Sequence, residues 1–415
     1  MTRPRVAIGA GAVSDLVSFC GQAGFKRLLV IADQTTHGVL GRTVEESLRR
    51  SGREVRSVIL AGPEVVADAH SILQCLLFFD RRDQCLVAVG SGTITDITRF
   101  VSHRVGVPFI VMPTAPSVDG FTSLGSPLVV RGIKTTALAH PPLAIFADLA
   151  VLCSAPRSMI AAGFGDMMGK HTSVADWRLG SLLWGFRFDQ EVADRCLSAA
   201  QTCQEAAAEI AAATKQGVRR LFEALLESGF CMLDFGSSLP ASGAEHHYSH
   251  FWEMKLLREG RPAILHGAKV GVATMLAAEL YAAIRQLTRS KAAELLQRSP
   301  QPSREEELQR IRAAYGQAAD DVAETQTRFI GMSSEAWEQL KQKTLDSWTE
   351  IQEIAGMVPG PEEIGRLIHQ TGGPASTQEL GLSDSDRDQA FQSAHYLRNH
   401  FTVAKLSRIL FAAGQ

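Results

Sequence analysis

Over the first 155 positions, short apolar runs rich in β-branched residues alternate with stretches of helical spacing. Leu28–Asp33 (LLVIAD), Cys85–Gly90 (CLVAVG), Val107–Pro113 (VPFIVMP) and Leu143–Asp148 (LAIFAD) are continuous apolar runs that meet Gly, Pro or Asp. Runs of that kind are what strands buried on both faces of a parallel sheet require. Helical patterns fall between several of them, as at Gly41–Ser51. The rhythm is βαβ, which predicts a parallel sheet covered on both faces.

Beyond residue 155 the period changes. Gln190–Leu226 is rich in Ala, Glu and Leu at helical spacing, and Lys269–Leu296, Glu305–Thr325 and Phe391–Phe411 follow suit. The fold class expected is an α/β N-terminal domain with a parallel sheet, residues 1–155, followed by an all-α C-terminal domain, residues 156–415. The Pro/Ser/Gln stretch at Arg298–Arg304 reads as a surface connection within the helical half. No internal repeat is evident.

Composition narrows the function classes. The 415 residues are 45% apolar and 21% charged, so a large core can form and intrinsic disorder is excluded. A formal net charge of −2 gives no global pull toward nucleic acid or anionic lipid. The N-terminal apolar run breaks at Asp15, and the run from Pro141 to Pro156 is interrupted by Asp148, so no membrane span is expected. Seven scattered cysteines contain no CxxC pair and read as small buried hydrophobes of a reduced, cytoplasmic protein.

Three clusters carry chemistry. Gly90-Ser91-Gly92-Thr93-Ile94-Thr95-Asp96 follows a strand and opens a helix, where backbone N–H groups can receive a pyrophosphate. It is not GxGxxG, and an ordinary turn is the bland alternative. Close by, Pro113-Thr114-Ala115-Pro116-Ser117-Val118-Asp119-Gly120-Phe121-Thr122-Ser123 forms a polar rim after the next strand; a rigid loop would explain it equally. In the second cluster, Gly163 to Lys170, Asp166 and Lys170 lie one helical turn apart among Gly, Phe and Met. Apolar neighbours imply burial, and a buried charge needs a reason.

The third cluster is the most informative. Ser242-Gly243-Ala244-Glu245-His246-His247-Tyr248-Ser249-His250 is followed by Leu265-His266-Gly267, placing four of twelve histidines within 21 residues. Ser242 and Glu245 have capping-box spacing, so a helix should start there. Neutral imidazoles suit zinc, nickel or iron, and Asp166 is a natural carboxylate ligand. Spacing leaves open whether His246 pairs with His266 or with His250. A core histidine cluster is the alternative to a metal site.

Taken in order, these clusters resemble the sn-glycerol-1-phosphate dehydrogenase family. That family belongs to the superfamily of glycerol dehydrogenase, iron-containing alcohol dehydrogenases and dehydroquinate synthase. The resemblance runs through GSGTITD, PTAPSVDGFTS, AHPPLAIFADL, AAGFGDMMGKHTSVADWRL, SGAEHHYSHFWEM, LHGAKVG and AHYLRNHFTVAKL, from about residue 28 to 410. It implies the dehydroquinate synthase-like two-domain architecture, with reaction in the cleft between the halves. It also implies that dihydroxyacetone phosphate is reduced to sn-glycerol 1-phosphate with NAD or NADP and one divalent metal, zinc or nickel foremost. Gly92, Thr93, Ile94, Thr95, Asp96, Thr114, Ala115, Pro116, Ser117 and Ser123 would hold the nicotinamide cofactor. Asp119 would touch the substrate. Asp166, His246 and His266 would bind the metal, with Asp166 also against the substrate. His250 would contact the substrate and relay a proton without ligating the metal. A homodimer is expected from the same resemblance.

Asp33 closes a strand and is placed to accept a ribose hydroxyl, a hint of NAD. Two positions depart from the family pattern. Leu239 stands where relatives commonly carry Arg, so an anionic substrate would need other cations, with Lys134, Lys170 and Lys255 available. Ala268 stands where Glu is more usual. The remaining readings are a polyol dehydrogenase without a phosphate requirement, a dehydroquinate synthase-like cyclase, and a nucleotide- or metal-binding protein that has lost catalysis.

Overall fold

The computed structural model describes residues 3–62, 64–130 and 133–411; the outer ends of the two expected domains, residues 1–2 and 412–415, lie outside the described residues. Two compact units are present. One comprises residues 1–164 with 205–236, the other residues 165–204 with 237–415, rather than a division at one point near residue 155.

The first unit is built on a six-stranded parallel sheet ordered β1-β8-β5-β4-β2-β3. Its strands are β1 (Arg5–Ile8), β2 (Arg27–Asp33), β3 (Glu54–Leu60), β4 (Cys85–Gly90), β5 (Phe109–Pro113) and β8 (Ala144–Ala147). The four continuous apolar runs are the four strands with neighbours on both sides; β4 and β5 are buried at every position. Leu28, Val30 and Ala32 of β2 pack with Val87 and Val89 of β4 on one face, against Leu16, Cys20, Val44 and Leu48 of the covering helices. The edge strands β1 and β3 are half exposed and too mixed in polarity to read as buried runs. A separate antiparallel hairpin, β6 (Gly125–Val130) and β7 (Ile133–Leu138), was also not legible in the pattern.

From β2 the chain moves outward to β3, then crosses back to β4 and continues to β5. The carboxyl ends of β2 and β4 therefore flank a topological switch point, where open α/β sheets bind ligands.

No strand occurs after residue 155 among the described residues. The long helical patterns are subdivided, however. Gln190–Leu226 resolves into Gln190–Glu205, Ala207–Ala211 and Lys215–Phe235, with Ala213 at φ 48° and Thr214 capping the last helix through Gly217 N–H. Phe391–Phe411 is helical only at its two ends, because Val403 N–H donates to the buried Asp176 carboxylate and residues 397–402 follow an irregular path. The helix His266–Gln286 has the length and hydropathy to cross a membrane, and 72% of its apolar window is buried within the fold.

Candidate functional site

Two turns at the carboxyl end of the sheet lie side by side in the first unit. β4 ends at Gly90, Ser91 is the N-cap, and the helix Gly92–Val105 begins. Glycine is required here by space: a Cβ on Gly90 would sit 2.6 Å from the Ile94 side chain, and one on Gly92 3.0 Å from Val118. Thr114 N–H donates to Gly90 O at 3.2 Å, and the Ser91 and Ser117 hydroxyls are 2.6 Å apart. Gly92–Asp96 and Thr114–Ser117 thus form one rim, with the N–H groups of a fourteen-residue helix at its floor.

Other expected cofactor residues have structural work of their own. Ile94, Thr95 and Ala115 are buried, and Thr95 donates to Ser91 O at 3.0 Å. Asp96 pairs with Arg99 at 2.5 Å; burial pushes the Asp96 carboxyl up to about 6, with Arg99 and Lys134 opposing. Arg99 also donates to the carbonyls of Gly120, Phe121 and Gly125, pinning the following turn. Ser123 Oγ accepts from Gly125 N–H at 2.9 Å. Pro116 O lies so near Gly163 that a Cβ there would be 1.9 Å away. Asp33 caps a short helix, accepting from Thr36 N–H at 2.8 Å in a capping box.

Asp119 is buried in the first unit and accepts from Ser228 Oγ at 2.8 Å. The helix Lys215–Phe235 approaches that turn closely enough that a Cβ on Gly229 would meet Thr122 Oγ1 at 1.9 Å and Asp119 O at 2.7 Å.

The carboxylate and histidines come together in the second unit. Asp166 lies in the helix Arg157–Trp184, His246 in Ala244–Arg258, and His266 opens His266–Gln286. Close crossing of the first and third of these helices depends on Gly165, whose Cβ would lie 2.4 Å from Gly267 O. Donor atoms of Asp166, His246 and His266 all lie within 4.8 Å of one another. His250, Glu253 and His266 make a second such set; neither set joins His246 to His250. The His250 and His266 rings stack at 5.3 Å, 25° apart.

Asp166, His246 and His250 are each oriented by a neighbour. Lys170 Nζ, fully buried like Asp166, donates to Asp166 Oδ1 at 3.1 Å and to Ala241 O at 3.3 Å. His246 Nδ1 is 2.8 Å from Glu245 Oε1, leaving Nε2 at 3.7 Å from Asp166 Oδ1. Bonds of about 2.0–2.2 Å to a tetrahedral ion place ligand atoms roughly 3.4 Å apart, so a carboxylate with two imidazoles at this spacing fits a divalent cation. His250 Nδ1 lies 3.1 Å from Glu253 Oε2, which is 3.5 Å from the buried Lys269 ammonium.

The helix at 244 starts as expected but is capped differently. Gly243, not Ser242, is the N-cap, and Asp176 Oδ2 accepts Ala244 N–H at 2.7 Å. Burial, with the Glu245 carboxylate beside it, pushes Asp176 up to about 7 against hydrogen bonds from Tyr281, Ala244 and Val403. His247 points elsewhere: it is fully buried beside His400, ring centroids 5.6 Å apart, and burial holds its pKa well below the ordinary value.

In the sequence Glu245 stands out only as a capping residue, and Glu253 and Lys269 carry no signal of their own. The clue available was a carboxylate next to one histidine and three residues after another. Of the cations considered for an anionic substrate, Lys255 is committed to Asp386 at 2.5 Å and Lys170 to Asp166. Beside Leu239, Arg398 donates to Ser238 Oγ at 3.1 Å and Ser242 Oγ at 3.3 Å, bringing a guanidinium to that loop from the C-terminal segment.

Comparison with known proteins adds an independent line. Residues 7–156 match the family described as iron-containing alcohol dehydrogenase. A protein of Geobacillus thermodenitrificans named glycerol-1-phosphate dehydrogenase, NAD(P)+, is 38% identical across 96% of this chain and 91% of its own length. The chain belongs to the glycerol-1-phosphate dehydrogenase family. A relative of the same name from Pyrococcus furiosus is 36% identical over 68% of this chain and 80% of its own length. Among solved structures, glycerol dehydrogenase of Schizosaccharomyces pombe has a TM-score of 0.65, 16% identity, and coverage of 100% of this chain and 89% of that one. This chain thus shares its fold with that glycerol dehydrogenase and with an iron-containing alcohol dehydrogenase of Corynebacterium glutamicum, TM-score 0.63 at 15% identity, which covers 100% of this chain and 95% of that one.

Proposed function

We propose that this chain is a metal-dependent oxidoreductase that reduces dihydroxyacetone phosphate to sn-glycerol 1-phosphate with NAD(P)H. The observation that carries the reading is the set Asp166, His246 and His266, two buried and His266 half-buried, in a chain 38% identical over nearly its whole length to a glycerol-1-phosphate dehydrogenase. Asp166, His246 and His266 would hold the divalent ion, zinc or nickel foremost. Gly92, Thr93, Ile94, Thr95, Asp96, Thr114, Ala115, Pro116, Ser117 and Ser123 would form the cofactor rim, with Asp119 reaching the substrate. When bound, the ion supplies Lewis-acid charge for the substrate oxygen and the reduced nicotinamide supplies the hydride.

The chain's own groups do the rest. Lys170 holds the Asp166 carboxylate in place through its ammonium, both groups being fully buried. Glu253 orients His250, whose Nε2 is the group we assign to proton delivery. We read the protein as cytoplasmic, and as a homodimer. The exposed Leu73, Leu76, Leu77 and Phe78 on the helix Ala69–Phe78 are consistent with a face that a second copy covers.

The test is substrate choice. Metal-loaded protein should consume NADH or NADPH stoichiometrically with dihydroxyacetone phosphate, forming sn-glycerol 1-phosphate. If dihydroxyacetone or glycerol serves as well as its phosphorylated counterpart, the phosphate assignment is wrong.

A further inference from the structure

We infer that Glu245 is the positioning carboxylate of the metal centre, fixing the tautomer and aim of His246 and thereby the affinity for the ion. The inference rests on reading Asp166, His246 and His266 as the ligand set, and its test separates the two.

A neutral imidazole carries one proton on one of two nitrogens, and only the other can ligate. An ionised carboxylate can only accept, so the contact of 2.8 Å between Glu245 Oε1 and His246 Nδ1 places the proton on Nδ1. The lone pair is left on Nε2, the atom 3.7 Å from Asp166 Oδ1. A carboxylate behind a ligating histidine also makes the ring a stronger base toward the ion.

The carboxylate is itself immobilised from three directions. Its Oε1 also accepts Gly243 N–H at 2.6 Å, and its Oε2 accepts Thr172 Oγ1 at 2.7 Å. Space around it is closed: a Cβ on Gly169 would be 3.2 Å from Glu245 Cγ, and one on Gly243 2.9 Å from Oε2. Glu245 is fully buried; among the described residues its ion-pair contact within 4.0 Å is with His246, and the buried Arg398 guanidinium acts on it electrostatically from farther off. A buried carboxylate is costly unless cations and hydrogen bonds compensate it. A cation held on the far nitrogen of His246 would add to that compensation, in keeping with an acid at this position.

The experiment measures zinc affinity by chelator competition and the visible spectrum of the cobalt-substituted protein, with the thermal midpoint of the metal-free protein alongside. Glu245→Gln keeps the shape: its carbonyl oxygen can accept from Gly243 and His246 while the Thr172 hydroxyl turns to Gly169 O at 3.0 Å. It is expected to bind zinc about 10- to 100-fold more weakly, with a changed cobalt spectrum and an unchanged metal-free midpoint. Thr172→Val, which frees Oε2, should weaken binding in the same direction by less, and serves if the glutamine variant does not fold. Wild-type affinity and spectrum in the variant that folds would overturn the inference. So would a metal-free midpoint that falls as far as that of the loaded protein, which would make Glu245 structural only. His246→Ala binding zinc as tightly as wild type would instead refute the ligand set itself.

Discussion

At the scale of single residues, the histidine cluster divides by environment rather than by spacing. His246 and His250 sit one turn apart, yet each has Nδ1 against a different carboxylate and belongs to a different donor set. His247 between them is core. Replacing His250 by Asn should lower kcat by about 100-fold or more while zinc affinity stays at the wild-type value. Steady-state kinetics with equilibrium metal titration checks this, and a parallel loss of zinc would make His250 a ligand. The sequence singles out Asp166, His246 and His266 together as candidate ligands only through a resemblance, because periodicity says which residues share a helix face and not which helices meet. Glu245 was hidden for the same reason: its partner Thr172 comes from another helix, 73 positions away in sequence. The contact of Arg398 with Ser242, beside Leu239, spans 156 positions of sequence, with no local signal.

At the scale of elements, close helix packing is what assembles the site. A side chain at Gly165 would press on the Gly267 carbonyl, a backbone atom that cannot swing away. Gly165→Ala should therefore cost about 1–3 kcal/mol in stability and weaken metal binding, as overpacking does. Gly356, also helical but with nothing within 4 Å of its absent Cβ, is the control. Its change to Ala should be neutral or stabilising by up to about 1 kcal/mol. Urea denaturation of both variants measures the difference; equal effects would refute the packing argument.

The helix Val403–Phe411 carries a different consequence. Burial pulls the Lys405 ammonium down to about 7, with Glu307 opposing. In the window from about 7 to the unfolded value of 10.5, the unfolded chain binds the proton and the folded chain does not. Lys405 thus contributes stability that is full above the unfolded value and lost as pH falls through the folded one. Thermal midpoints should rise from pH 7 to 10 in the wild type more steeply than in Lys405→Met. Parallel curves would contradict the shift.

Elements were legible where polarity was extreme. The buried strands β2, β4, β5 and β8 announced themselves as unbroken apolar runs. The edge strands and the hairpin did not, since a half-exposed strand tolerates charges such as those of Arg5, Glu54 and Lys134. Helix ends after residue 190 were misjudged because tertiary partners set them, as Asp176 does at Val403.

For the whole molecule, the near-zero net charge offers no field to collect a phosphate dianion. Recognition must rest on local cations, several of which already serve carboxylates within the fold. The apolar face of the helix Ala69–Phe78 belongs to the same scale: Leu77 is 74% exposed. Leu77→Asp should shift sedimentation from dimer to monomer at micromolar concentration without loss of fold. A wild-type chain that sediments as a monomer would remove that assignment.

The central claim is that a divalent ion held by Asp166, His246 and His266 is required to reduce dihydroxyacetone phosphate. The most direct measurement removes metal with a chelator, then follows NADH or NADPH oxidation as zinc or nickel is titrated back, in wild type and in Asp166→Asn. Activity should be absent without metal, return to a plateau at one ion per chain in wild type, and stay at least about 100-fold lower in the variant. Full activity in the chelated enzyme, or in Asp166→Asn, would contradict the account.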